Sequence, residues 1–377
     1  MPADPASDAS DPSSPIAFHQ PALPDVDGFL EDARAIVESG WLSEARYVRR
    51  FETTLVEWSG MDEVIAVSNC SGGLIAALAA LELEPGGEVI LPGFTFLATW
   101  EAIVWAGLEP VVADVDDRAL LDPDAVAAAA TSRTVAILAV HMAGSPAPTH
   151  RLREVADRLG VPLLVDAAHG LGAARAGRPA GIEADVQVYS LGATKQAATG
   201  EAGAVGVHDP ALGERVRLFK HQGRLPGELD PTGIGLNLRL PELEAALALR
   251  QIAGLAVQLE RRAAIHERYA AAVAGLPLRL SGPLAGERSA HKDQLVWVDD
   301  PGRRAPIRAA LAAAGIETRG YYEPAIPDLA AFRGRVASAE RSRSLAARSF
   351  AVPIHARMTD TDVERVATTL ASAATCP

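Results

Sequence analysis

The chain is 377 residues long, 49% of them apolar, and carries a formal net charge of −13. That length exceeds one minimal domain and that apolar content supplies a large core, so global disorder is excluded and two domains are expected. The acidic balance argues against nucleic acid or an anionic membrane surface as the main partner, while local basic pockets leave an anionic small molecule open. No run reaches the roughly 18–20 uninterrupted apolar residues of a membrane helix. The first Lys or Arg is Arg34, so a secretory leader with a basic start is not expected. Two cysteines, Cys70 and Cys376, make neither a disulfide framework nor a CxxC metal pattern. A cytoplasmic protein without a metal site is expected.

In chain order, the polar, Pro-rich residues 1–15 read as a disordered tail. Short apolar runs then alternate with Ala-rich stretches of helical period. EVIL (88–91) precedes LATWEAIVWAG, and PVVADV (110–115) precedes DPDAVAAAA, where Asp122 and Pro123 have the chemistry of an N-cap and first helical residue. TVAILAV (134–140) leads to THRLREVADRLG and then PLLVD (162–166); ADVQVYS (185–190) and AGAVGV (202–207) close the series. This alternation predicts an α/β large domain over 16–250 with a mainly parallel central sheet. Residues 241–275, with no Pro after Pro241 and with two Gly, predict one long linking helix. A smaller C-terminal α+β domain over 251–377 follows, with a strand at QLVWVD (294–299), a helix at APIRAALAAAG and a last helix from TDTDVERV.

Four places carry chemistry. SNCSGGLIAALAAL (68–81) is a small-residue turn running into a helix, where unpaired N–H groups and the helix dipole favour an anion. It is neither a Walker A loop nor a GxGxxG fingerprint, and alone it fits an ordinary Ser-capped helix. In PGFTFLATW (92–100), Phe96 follows a buried strand at the sheet edge where α/β proteins hold ligands; it suits stacking on a planar ring, or the core. PLLVDAAHG ends a strand with Asp166, which must be paired or solvated, either as a turn cap or as partner to a ligand cation; His169 suits a turn or a ligand oxygen. Lys195 comes 29 positions after Asp166 and five after Ser190, and is one of only three lysines. Its Gly, Ala and Thr neighbours predict a packed loop, and a desolvated lysine is a Schiff-base nucleophile. Separately each place fits a structural role. Together they supply a phosphate seat, a stacking aromatic, a carboxylate for a pyridinium and an amine for an aldehyde, the parts that hold pyridoxal 5′-phosphate (PLP).

SGWLSEARYVRRFE (39–52), SNCSGGL, GGEVILPGFTFLAT, VVADVD, VHMAG, LLVDAAHGLGA, YSLGATKQAATGEAGAV, GIGLNLRLPELEAAL and SFAVPIHARMTDTDVERVA (349–367) occur in that order. Almost the whole chain thereby resembles the DegT/DnrJ/StrS-type PLP-dependent sugar aminotransferases, of the fold type I aspartate aminotransferase architecture. The resemblance implies Lys195 as the Schiff-base lysine and proton shuttle, Asp166 on the pyridinium nitrogen, His169 on the ring hydroxyl and Phe96 on the ring face. It implies Cys70, Ser71, Gly72 and Ser190 at the phosphate. Asn237 would reach the phosphate of a neighbouring subunit, hence a homodimer with shared active sites. Cys70-Ser71 stands where the family commonly has Gly-Thr, Ala202 stands within the usual GEGGAV, and SEARYV lacks a Gly-Pro often found there. The implied reaction is ping-pong transfer of an amino group from L-glutamate or L-glutamine to the ketone of a nucleotide-linked deoxysugar, in a bacterial secondary-metabolite or glycan pathway such as antibiotic biosynthesis. Lys220, His221, Arg224, Arg239, Tyr321 and Tyr322 are candidates for substrate contact, and each fits a surface or interdomain position equally well.

Other readings are a keto-cyclitol or aminohydroxybenzoate-type acceptor within the same family, and a PLP-binding regulatory protein without turnover. The intact Lys195/Asp166 pair speaks against the latter. A nicotinamide oxidoreductase would need a GxGxxG at the start of a helix, and none is present.

Overall fold

Short runs of Val, Ile, Leu and Ala become strands buried on both faces, and eight of them make one sheet. The computed structural model of this protein describes residues 14–22, 25–224 and 227–375. Helices α1 (Val26–Ser39) and α2 (Arg46–Ser59) open the fold. Then β1 (Glu63–Val67), α3 (Cys70–Ala80), β2 (Glu88–Pro92), α4 (Leu97–Trp105), β3 (Glu109–Ala113), α5 (Pro123–Ala129), β4 (Thr134–Val140), α6 (Thr149–Leu159) and β5 (Leu163–Asp166) alternate. A two-residue hairpin, β6 (Ala174–Arg175) and β7 (Arg178–Pro179), precedes β8 (Val186–Ser190), β9 (Gly203–Val207) and α7 (Pro210–Lys220). Asp122 caps α5, its side chain accepting from the Asp124 N–H, with Pro123 in the first turn as expected.

The remaining elements are α8 (Glu242–Ala253), α9 (Leu255–Ala272), β10 (Leu278–Leu280), β11 (Glu287–Arg288), β12 (Gln294–Val298), α10 (Arg304–Ala313), β13 (Arg335–Val336), α11 (Glu340–Arg348), β14 (Ser349–Val352) and α12 (Asp360–Thr375). The stretch expected as one helix over 241–275 is two helices. They break at Gly254, a residue that gives up i→i−4 geometry at little cost. Residues 1–13 of the expected disordered tail lie outside the described residues. Ser14 is tied down: its carbonyl accepts from Arg365 at 2.6 Å, and Ile16 bridges Ile316.

The main sheet has the order β1-β9-β8-β5-β4-β2-β3-β13 and is parallel except at β9, which runs against both neighbours. The connection from β8 to β9 has no crossover helix, and a short link of this kind permits only an antiparallel return. Ile137 and Ala139 of β4 pack with α2, α5, α6 and α8 on one face; Ala136 and Leu138 pack with α3, α4 and α7 on the other. This alternation gives three layers and the α/β, PLP fold type I architecture. β10, β12 and β14 form a separate antiparallel sheet with its own core against α9, α10 and α12. Among the described residues no helix is long and apolar enough to cross a membrane.

Candidate active site

The parallel strands end on one edge of the sheet, and the segments that leave them line a pocket of about 490 Å³. Asn69, Cys70 and Ser71 come from the turn after β1, Thr95 and Phe96 from the turn after β2, and Met142 from the turn after β4. Asp166 ends β5 and His169 follows it; Ser190 ends β8, and Lys195 lies in the β8–β9 link. A ligand crevice outside the carboxyl ends of parallel strands is the usual place in such sheets. The three lysines separate cleanly here. Lys195 is half-buried on the pocket wall. Lys220 is buried elsewhere, donating to Ala66 O at 2.9 Å and paired with Glu44 at 2.7 Å. Lys292 is buried against Asp293 at 2.9 and 3.0 Å, and burial lowers its pKa to about 8.

Asp166 caps the turn that follows β5 and faces the pocket. One carboxylate oxygen accepts from the Ala168 N–H at 3.0 Å, capping the turn, and the other accepts from the Thr99 hydroxyl at 2.9 Å. Thr99 is itself linked to Thr95 at 2.9 Å. Burial pushes the Asp166 carboxyl up, against those two donors and the positive charge of Lys195. His169 Nδ1 accepts from the Ala143 N–H at 3.3 Å, which leaves the ring proton on Nε2. Burial, reinforced by Lys195, Lys292 and His19, holds the His169 pKa well below the usual histidine value, so the ring is a neutral donor. Phe94 is wholly in the core, whereas Phe96 is 51% exposed and lines the pocket 6.2 Å from the Tyr322 ring.

The anion seat differs in detail from the expectation. Asn69 caps α3, and its side chain takes the Gly72 N–H at 2.8 Å. The N–H groups left for a ligand are therefore those of Cys70 and Ser71, with the Ser71 and Ser190 hydroxyls alongside. Gly72 serves packing instead, since a Cβ there would lie 2.6 Å from Leu238. Gly203 is the residue that makes the seat possible: a Cβ on it would meet Asn69 C at 2.7 Å and Cys70 N at 2.8 Å. Ala202, by contrast, points into the core between the sheet and its helices, so Ala is accommodated there. The loop around Lys195 is packed at Gly192 and at Gln196–Thr199, but Ala193 and Thr194 are exposed at the pocket mouth, contrary to the expectation of a wholly packed loop.

Of the other candidates, Tyr322 lines the pocket, and burial pushes its hydroxyl pKa well up. Tyr321 instead stands over Lys292, 5.9 Å from Nζ. Lys220, His221, Arg224, Arg239 and Asn237 lie outside the lining; His221 pairs with Asn237 through a backbone bridge and its ring faces Glu44 at 3.5 Å. The sequence reading missed Asn69, Thr95, Thr99, Met142 and Glu201. Asn69 was findable, because Asn just before a small-residue helix start is a cap signature. Thr99 had no such signal, since its partner lies 67 residues away.

A family model describing the DegT/DnrJ/EryC1/StrS aminotransferase family matches residues 25–371. The chain belongs to that family. As a DegT/DnrJ/EryC1/StrS aminotransferase it is an enzyme whose cofactor is PLP. Its fold is close to that of DesI, solved in the presence of its TDP-sugar product: 35% identity, 96% of this chain and 93% of that chain covered, TM-score 0.89. The aminotransferase TlmJ from Streptoalloteichus hindustanus is similar at 29% identity, covering 96% and 99% of the two chains, with TM-score 0.89. DesV of S. venezuelae is similar at 30% identity over 95% and 100%, with TM-score 0.86. The donor set of the pocket fits this aminotransferase cofactor on its own chemistry. A single amine, a buried carboxylate, two free helix N–H groups and an exposed aromatic face one cavity, and Gly203 keeps clear the space beside the helix start.

Proposed function

We propose that this enzyme moves an amino group from L-glutamate or L-glutamine to the ketone of a nucleotide-linked deoxysugar in a biosynthetic pathway. The observation that carries the reading is the convergence of Lys195 and Asp166, from different strand ends, on one pocket. The likeness to DesI, solved with a TDP-sugar product, supports the acceptor class. Bound PLP supplies an aldehyde that holds the migrating amino group and a ring that takes up electrons when the substrate carbon loses its proton.

Each residue then has a task. Lys195 Nζ would hold the cofactor at rest, and the same amine would carry a proton to and from the substrate carbon. Asp166, oriented by Thr99 and Ala168, would hold its carboxylate against the ring N–H. His169 would donate Nε2–H to the ring oxygen, and Phe96 would cover the ring face. Cys70 and Ser71 N–H, with the Ser71 and Ser190 hydroxyls, bind the phosphate at the positive end of α3. The same reading divides the chain into a cofactor domain over 16–250 and a smaller domain over 251–377, supported by the separate β10-β12-β14 sheet and its core; β11 and β13 of the second stretch pair instead with β6 and β3 of the first. It also makes the enzyme a cytoplasmic homodimer in which Asn237, exposed on its own chain, reaches the partner's phosphate.

Borohydride reduction of the purified holoenzyme followed by peptide mapping tests the site. The label is expected on Lys195 alone, with loss of visible absorbance, and Lys195→Ala is expected to lower turnover by at least ~10³-fold. A label on Lys220 or Lys292, or a colourless protein that takes up no PLP, overturns the assignment. Turnover of a nucleotide-linked keto-sugar against a keto-cyclitol decides the acceptor.

A further inference from the structure

A second cleft, of about 340 Å³, lies between the end of α1 and the start of α2. Trp41, Arg46, Arg49, Ser39, Tyr47 and Glu242 are among its walls. We propose that it binds the nucleoside diphosphate portion of the acceptor, the base stacked on Trp41 and the diphosphate held by Arg46 and Arg49. The inference rests on the nucleotide-sugar reading above.

Gly40 ends α1 in the left-handed region at φ 72° and turns the chain out, so Trp41 leaves the helix without entering the core and is 71% exposed. An indole in that position offers an apolar plane that a base covers at low entropy cost. Arg46 and Arg49 are three residues apart on α2 and share one face. Among the described residues neither guanidinium has a carboxylate or hydrogen-bond partner; Arg46 only lies 5.8 Å from the Tyr47 ring. Two free guanidiniums suit two adjacent phosphates, because each fork binds oxygens in pairs.

The two acids of the cleft cancel that charge only in part. Glu242 accepts from the N–H groups of Ala45, Tyr47 and Val48 at 2.9, 2.8 and 2.9 Å, closing the start of α2. Glu44 is held by Lys220 at 2.7 Å and by the Leu240 N–H at 3.1 Å. Glu44 is neutralised by Lys220, so two guanidiniums face one remaining carboxylate, that of Glu242, and it is turned to the N–H groups that start α2; the cleft keeps a net positive charge. The cleft is also joined to the segment proposed to reach the neighbouring pocket: Ser43 bridges Pro241, and the Glu242 N–H donates to Leu42 O at 2.9 Å. A nucleotide seated here would thus lie on the strand of chain that carries Asn237.

Calorimetric titration of the holoenzyme with UDP, dTDP, the free nucleosides and inorganic pyrophosphate provides the test. Either diphosphate is expected to bind more tightly than nucleoside or pyrophosphate, and more weakly as salt rises. Trp41→Ala is expected to weaken diphosphate binding about 10-fold while leaving pyrophosphate unchanged, with Trp41→Phe near wild type. The R46A/R49A double variant is expected to lose it by ~50-fold or more, with R46K/R49K recovering part. With a keto-sugar acceptor these changes appear in KM and not in kcat at saturation. Conversion of the bound cofactor by glutamate alone is expected to be unchanged in every variant. Equal binding of pyrophosphate and diphosphate, indifference to Trp41→Ala, or no binding at all overturns the site. If glutamate still converts the cofactor in that case, the aminotransferase reading stands and only the nucleotide site falls.

Discussion

Asp166 and Thr99 show how a single side chain is tuned by its neighbours. The carboxylate is buried, and among its stabilising contacts Thr99 supplies the one side-chain hydroxyl. Thr99→Val removes that donor with little change in shape, so the charged form of Asp166 loses support and its affinity for a proton rises further. On the role proposed for Asp166, a carboxyl that is protonated at higher pH loses its hold on the cofactor's ring N–H at higher pH. The acid limb of the kcat profile is therefore expected to move upward in pH, with kcat near neutrality reduced about 10-fold, the cost of one hydrogen bond to a charged group. Rate profiles of wild type and variant between acid and neutral pH check this; an unmoved limb would mean that Thr99 only fills space.

At the scale of elements, the link between β8 and β9 explains why the lysine is where it is. A parallel return would need a crossover helix leading back along a face of the sheet. The short antiparallel return keeps Lys195 at the edge where β5 leaves Asp166 and β1 leaves the α3 start. The link closes on itself, with the Lys195 N–H donating to Gly192 O at 2.9 Å and the Thr199 N–H to Leu191 O at 2.7 Å. Strand β9 then runs back beneath the start of α3, and only Gly fits at 203. Gly203→Ala is expected to push the strand from the helix start and weaken PLP affinity about 10-fold, measured by fluorescence titration of the cofactor-free protein. Ala202→Gly is expected to leave PLP affinity unchanged and to cost about 1 kcal/mol of stability through lost packing and added chain freedom. Equal effects of the two substitutions would detach Gly203 from the cofactor.

For the whole molecule, what was legible in the sequence follows from how far each signal reaches. Strands and helices set by local period, such as β4 and α5, stand where the pattern places them, and so does the strand-end carboxylate Asp166. Lys195, Phe96 and His169 were recognisable because each sits a few residues beyond a strand end, and strand ends share one edge. The reversed direction of β9, the Thr99–Asp166 bond and the Lys220–Glu44 pair depend on contacts between distant segments, for which a local pattern carries no information. The proposed dimer surface is legible only as exposed apolar residues: Leu229 is 91% and Ile234 94% exposed, on the loop that leads to Asn237. Burying such residues in a homodimer is favourable, and an isologous contact would place each Asn237 across the interface from its own Lys195. Mixing two inactive variants tests this arrangement. In a heterodimer of Lys195→Ala and Asn237→Asp subunits, a shared site concentrates both lesions in one pocket and leaves the other intact. Random exchange of subunits is then expected to restore about a quarter of wild-type activity, because half of the dimers are mixed and each has one good site. If each pocket is built within one chain, every site keeps a lesion and mixing restores nothing.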